Sequence, residues 1–222
     1  MPLRSQPLRR TGRVVVLGVA LAILTSHVQA TAERPGRFIQ ENGDAVIAAL
    51  KTRRTEFIAN PDSLHRFVRA EFAEAFDRTY AARLVLGADT TASEAELRAF
   101  SDALVDNLMD RYGNSLLKMQ TRLNVRVVSE QPLRDGTIIK VKSVVERRNG
   151  SPVSVDYLFH EKGGHWQVFD VIIEGISFVQ TFHFVIGNQL RTESLAKLTS
   201  DLRSGALVLG SAIPAVPLGT SQ

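Results

Sequence analysis

Asp170 is the residue whose setting most invites chemistry. It lies in the run 166–178, Trp-Gln-Val-Phe-Asp-Val-Ile-Ile-Glu-Gly-Ile-Ser-Phe. The alternating sets Trp166, Val168, Asp170, Ile172 and Gln167, Phe169, Val171, Ile173 are both mostly apolar, the pattern of a central strand covered on both sides. A carboxylate there is desolvated, its pKa rises, and in a pocket it could act as a general base. An α+β cone with one buried Asp would suit a small isomerase or hydratase. The other account needs no reaction: Asp170 pairs with an Arg or Lys of a neighbouring strand, or caps a loop.

Nothing else in the chain adds a catalytic or metal-binding constellation. His65, His160, His165 and His183 lack metal-ligand spacing such as H-E-x-x-H, and no G-x-S-x-G elbow or phosphate-binding glycine loop occurs. With no cysteine, disulfides, thiolate catalysis and thiolate metal sites are excluded. No cofactor is expected.

The elements that would position Asp170 follow from periodicity. Residues 31–43 read as a leader, Asp44 as the cap of a helix carrying Val46, Ile47 and Leu50, and Asn60-Pro61-Asp62 as a break. Leu64, Phe67, Val68, Phe72, Phe76, Tyr80 and Leu84 then recur at helical spacing across a further break. Ser93 with Glu96 forms a capping box ahead of Leu97, Phe100, Leu104, Leu108 and Tyr112. From Thr121 the period becomes two, with turns at Arg134-Asp135-Gly136, Asn149-Gly150 and Gly163-Gly164. Four strands joined in this way make an antiparallel meander. Leu195, Leu198 and Leu202 mark a closing helix, and 205–222 reads as a flexible tail. The expected fold is α+β, with a helical layer on one face of a four-stranded sheet.

The amino terminus reads as a signal peptide. Arg4, Arg9, Arg10 and Arg13 precede the apolar run 14–24, and Val28-Gln29-Ala30 supplies small residues for cleavage after Ala30. The 222-residue chain carries a net charge of +4, but without the arginines of 1–30 its basic and acidic residues balance at 23 each. A neutral exported domain argues against a nucleic-acid partner. Lys140, Lys142 and Arg126 share the polar sheet face, near Arg147 and Arg148, where a phosphate headgroup or anionic membrane could meet them. The alternative is a solvated face partly neutralised by Asp156 and Glu146.

Two blocks carry a family resemblance: Arg83-Leu84-Val85-Leu86-Gly87 with a long helix ending in Tyr112-Gly113, and Trp166, Asp170, Gly175, Ser177 and Gln180. In order and spacing they resemble MlaC, the toluene-tolerance family, over roughly Asp44 to Arg203, within a domain expected to span 44–204. The resemblance implies a periplasmic phospholipid carrier with an apolar cavity between helices and sheet. It also implies two partners, an outer-membrane lipoprotein–porin complex and an inner-membrane ABC transporter with a lipid-binding ring. Two segments depart from the family pattern: Ala88-Asp89-Thr90, where a basic and an aromatic residue are expected, and Thr181 to Gly187, where a Tyr-Arg pair is expected.

The physics of such a carrier fits the absence of a catalytic constellation. Two acyl chains left in water cost on the order of 20 kcal/mol, at about 0.8 kcal/mol per methylene. A shuttle must therefore swallow the tails, and needs no reaction to release them. The expected tail contacts are Phe76, Leu84, Tyr112, Tyr157, Trp166, Val171, Ile173 and Phe178. The alternatives are the Asp170 enzyme and a non-catalytic periplasmic interaction module.

Overall fold

The architecture below is that of a computed structural model describing residues 34–73, 75–118, 123–146 and 151–209, with only the backbone at 72, 73 and 109–118. The expected signal peptide, the Asn149-Gly150 turn and positions 210–222 lie outside the described residues.

The first helix begins earlier than Asp44. Helix α1 spans Pro35–Thr52 with proline in its first turn, and Pro35, Gly36 and Ile39 are buried. Most of the expected leader is therefore helix. Proline suits a first turn because its missing N–H has no partner to find there, and Ile39, Gly43 and Ile47 continue one face at four-residue spacing. A Cβ on Gly43 would lie 3.1 Å from Val125 Cγ2, so glycine lets the helix lie close on the sheet. Helices α2 (Arg54–Ala59) and α3 (Pro61–Ala73) follow, and Phe57, Leu64 and Val68 bury a small cluster against Leu50 and Phe67.

The aromatic stripe breaks after α3. Phe76 stands in an extended segment, and α4 (Arg78–Leu86) starts afresh with the Asp77 side chain accepting from Tyr80 N–H. The capping box forms as the spacing predicts: Glu96 Oε2 accepts from Ser93 N–H at 2.9 Å, and Ser93 Oγ accepts from Glu96 N–H at 3.2 Å. It opens α5, Glu94–Lys118.

The sheet runs in sequence order through β1 (Asn124–Leu133), β2 (Ile138–Glu146), β3 (Val153–Lys162), β4 (His165–Ile173) and a short β5 (Ile176–Ser177), antiparallel throughout. The expected meander thus gains a fifth strand. Two further helices follow, α6 (Phe178–Gln189) and α7 (Leu195–Ser204). Helix α6 was not expected, although Ser177 caps it by accepting from Gln180 N–H, and Phe178, Phe182 and Ile186 repeat every four residues.

Layering also differs from a single helical sheet cover. Helix α1 lies on one face, its Phe38 ring edge-on to Phe159 at 6.2 Å. On the other face Tyr80 of α4 stacks on His160 and meets Phe169 edge-on. Because β4 is apolar on both sides, both sides are covered. Helices α4 to α7 also build their own core around Phe100, Phe182, Ile186, Leu198 and Leu202.

Leu207 and Leu209, at the start of the expected tail, pack into that core. Leu209 is fully buried, and Asn107 Nδ2 donates to the carbonyls of Leu202 at 3.0 Å and Leu207 at 2.8 Å. No described helix is long and apolar enough to cross a membrane.

Candidate functional site

Strand register decides which apolar residues can act together. Tyr157 pairs with Val171, Val155 with Ile173, Phe159 with Val168 and Glu161 with Trp166, and paired residues share a face. The pairing slips between Leu158 and Phe159, so β4 carries one extra residue. That bulge changes the parity of the strand. Trp166 and Val168 come from one alternating set and Val171 and Ile173 from the other, yet all four stand on one face. Phe169 and Asp170 go to the opposite side.

The shared face is an apolar surface backed by Val141, Phe159 and Val168 and flanked by α1. Phe76 joins it from the side: Val168 N–H donates to the Ala75 carbonyl and Asp77 N–H to the Val168 carbonyl, both at 2.8 Å, in a parallel bridge. Phe38, Phe76, Tyr157, Trp166 and Val171 pack against this cluster but are only partly buried. Burial pushes the Tyr157 hydroxyl up to about 12 against the opposing effect of a hydrogen bond with Ser143. The hydroxyl end is therefore the deep end of a ring that is otherwise only half covered.

Five of the eight expected tail contacts gather on or beside this face: Phe76, Tyr157, Trp166, Val171 and Ile173. Three do not. Phe178 belongs to the helical core, edge-on to Phe182 at 5.7 Å. Leu84 points outward and is 36 % exposed, since the inner face of α4 is taken by Ala81, Ala82, Val85 and Leu86. Tyr112 lies in α5, where only the backbone is described. Sequence reading missed Phe38 and Ile47, which line the same cluster from α1. Their signal was the continuation of the Val46-Ile47 face back through Ile39.

Asp170 is 3 % exposed, but it faces no open space. Its Oδ2 accepts from Ser177 Oγ at 2.6 Å and its Oδ1 from Val179 N–H at 3.0 Å. Burial raises its pKa, and the hydrogen bonds from Ser177, Val179, Val171 and Phe178 partly offset this. Ser177 Oγ in turn accepts from Gln180 N–H at 3.0 Å. The carboxylate thus ties β4 to the start of α6, and the reading of Asp170 as a loop cap replaces that of a general base. Lys140 Nζ meets Asp156 at 2.8 Å and Arg126 Nε meets Glu146 at 3.1 Å, so these two cations of the polar face are neutralised locally.

The two segments that depart from the family pattern lie close together. His183 Nδ1 donates to the Val85 carbonyl at 3.0 Å, and a Cβ on Gly87, whose φ is +84°, would lie 3.0 Å from His183 Cε1. Beside them Arg83, Leu86, Gly87, Thr90, Ala92, Glu94 and Leu97 line a cleft of about 160 Å³, with Arg83 paired to Glu94 across it. Pockets for even drug-sized ligands start at about 300 Å³, so this cleft does not take acyl tails.

The fold and this face define a class: an α+β domain whose sheet presents an incompletely covered aromatic and aliphatic surface. The sequence profile of the MlaC protein family matches residues 40–204, and the chain belongs to that family. It is 24 % identical over 177 residues to toluene tolerance protein ttg2D of Pseudomonas putida, covering 78 % of each chain. It is 22 % identical over 166 residues to the intermembrane phospholipid transport system binding protein MlaC of Haemophilus influenzae, covering 73 % of this chain and 77 % of that one. A solved structure of the phospholipid-binding protein from Ralstonia solanacearum, in complex with a phospholipid, superposes with a TM-score of 0.68 at 19 % identity. The superposition covers 79 % of this chain and 96 % of that one, and shows a common fold.

Proposed function

We propose that this chain is a periplasmic phospholipid-binding transport protein, exported by its amino-terminal signal peptide. It carries lipid between an outer-membrane lipoprotein–porin complex and an inner-membrane ABC transporter, and so maintains outer-membrane lipid asymmetry. The observation that carries the reading is the state of the sheet face. Large apolar side chains there, Phe76, Tyr157, Trp166 and Val171, remain partly exposed, whereas buried residues outnumber partly buried ones in the helical core. Such a surface is costly in water and is covered when a ligand of matching chemistry binds. Acyl tails match it, and family membership supports that choice over other apolar ligands.

Tails on the sheet face would meet Phe76, Tyr157, Trp166, Val171 and Ile173. The headgroup needs no dedicated cation, since delivery depends only on comparable lipid affinity in donor and acceptor. The enzyme alternative loses its support, because the oxygens of Asp170 are engaged by Ser177 and Val179.

The test is native mass spectrometry of the protein purified without detergent, followed by lipid extraction. A mass excess of several hundred daltons that resolves into phospholipid is the expected result. An apo mass, with no uptake from labelled vesicles, would leave the interaction module as the better reading.

A further inference from the structure

Three groups converge on the Asp77 side chain: α4, which it caps, and two residues of β3. Asp77 is 5 % exposed. Its Oδ2 accepts from Lys162 Nζ at 2.8 Å and lies 3.3 Å from His160 Nε2, while its Oδ1 accepts from Tyr80 N–H at 3.0 Å. The Tyr80 ring stacks on His160 at 4.2 Å, so the start of α4 is bound to the far end of β3 through both the carboxylate and the ring. The Asp77 peptide N–H meanwhile donates to Val168, holding the 75–77 segment against the edge of β4.

Successive residues of an extended segment point to opposite faces. Phe76 therefore enters the sheet-face cluster on one side of β4, while Asp77 is gripped on the other. Two backbone bonds to Val168 are the whole of the parallel bridge. A two-bond bridge is weak alone, and the Asp77 contacts make its position single-valued.

We propose that Asp77 is a positioning residue for the lipid site: by clamping the 75–77 strap to the β3–β4 hairpin, it holds Phe76 as a wall of the tail-binding face. The clamp is asymmetric. The Asp77 side chain is 4 % exposed and that of Lys162 57 %, so the carboxylate is built in and the ammonium reaches it from solvent. Withdrawing Lys162 leaves a buried carboxylate facing one fewer donor and loosens the strap from the outside. Phe76 then swings more freely and the tails leave sooner. In accord with this, burial acts to raise the Asp77 pKa but the Lys162 bond, the Tyr80 N–H and His160 outweigh it, and the pKa is lowered.

This inference rests on the carrier reading, and its test separates the two. Full-length protein loaded with fluorescent phosphatidylglycerol is mixed with vesicles of phosphatidylethanolamine and phosphatidylglycerol, below the onset of melting of every variant. Lys162→Met should release lipid about fivefold faster, the upper size expected for one partly exposed charge contact, and Lys162→Arg at the parent rate. In a Phe76→Ala background the Lys162→Met change should add no acceleration, because the residue it acts through is gone. A parent-like rate for Lys162→Met, or the same acceleration with Phe76→Ala present, would overturn the proposal. A parent protein that takes up no phospholipid would overturn the carrier reading and this inference with it.

Discussion

Two apolar clusters of this molecule differ in closure. Among the described residues, the helical cluster has twelve buried members and eight partly buried ones. The sheet-face cluster has five buried members and nine partly buried ones, three of them Phe76, Tyr157 and Trp166. The first is a mostly buried core whose side chains stabilise the fold. The second has a finished floor, with Val141 and Phe159 fully buried, and an unfinished upper layer. The same residue types thus serve stability in one region and, in the proposed function, ligand binding in the other, and what distinguishes them is whether protein alone completes the packing.

Substitutions in the two regions should separate along that line. The largest effect is expected for Phe100→Ala in the helical cluster, where Phe100 is fully buried. Urea unfolding should show a loss of about 3–5 kcal/mol, with lipid binding retained at temperatures where the variant is folded. Next comes Asp170→Asn at the β4–α6 junction. Turning an amide toward the donors of Ser177 and Val179 should destabilise by about 1–3 kcal/mol, without revealing or abolishing any turnover. Val171→Ser on the open face should cost about 1 kcal/mol or less but release loaded phospholipid faster in a vesicle-transfer assay. Last is Leu84→Ser, expected to stay within about 0.5 kcal/mol and to leave lipid release unchanged. A Leu84 variant that sheds lipid would move the site toward α4 and weaken the comparison.

Two of the buried carboxylates, Asp77 and Asp170, give the contrast a pH signature. Asp77, lowered in the fold, contributes stability that is present above the ordinary carboxylate range and lost as pH falls through its folded pKa. Asp170, raised in the fold, acts in the opposite sense: protonation favours the folded state, and that advantage fades as pH rises past its raised value. Denaturant titrations across acid pH should therefore show a shallower acid loss for Asp77→Asn and a steeper one for Asp170→Asn than for the parent chain. Equal slopes in all three would contradict the assignment.

Much of the architecture was legible in residue pattern. Ser93 and Glu96 cap α5 as their spacing requires, and the period-2 stretches became β1 to β4. What was hidden depended on single residues that break a period. The extra residue at Phe169 swaps the faces of β4, and strict alternation had no means to place it. It put Asp170 with Trp166, whereas the bulge sends Asp170 to the α6 side. Phe76 read as part of a helical stripe because its spacing from Phe72 and Tyr80 is helical, yet Asp77 restarts the helix and leaves Phe76 on a strap. Helix α1 was missed at its start because Pro35 and Gly36 look like loop until Glu130 and the sheet are there to cover them. Leu84 is part of a matched family block, where resemblance implies a contact, yet it turns outward.

The central claim is that acyl tails occupy the open sheet face, and Trp166 allows it to be tested directly because it is the only tryptophan in the chain. The measurement is Trp166 fluorescence in protein loaded with a phospholipid brominated along its acyl chains, beside an unbrominated control of matched occupancy by native mass. Bromine quenches only on near contact, so strong quenching by the brominated lipid is the predicted result. Full occupancy with unchanged emission would place the tails elsewhere and contradict the account.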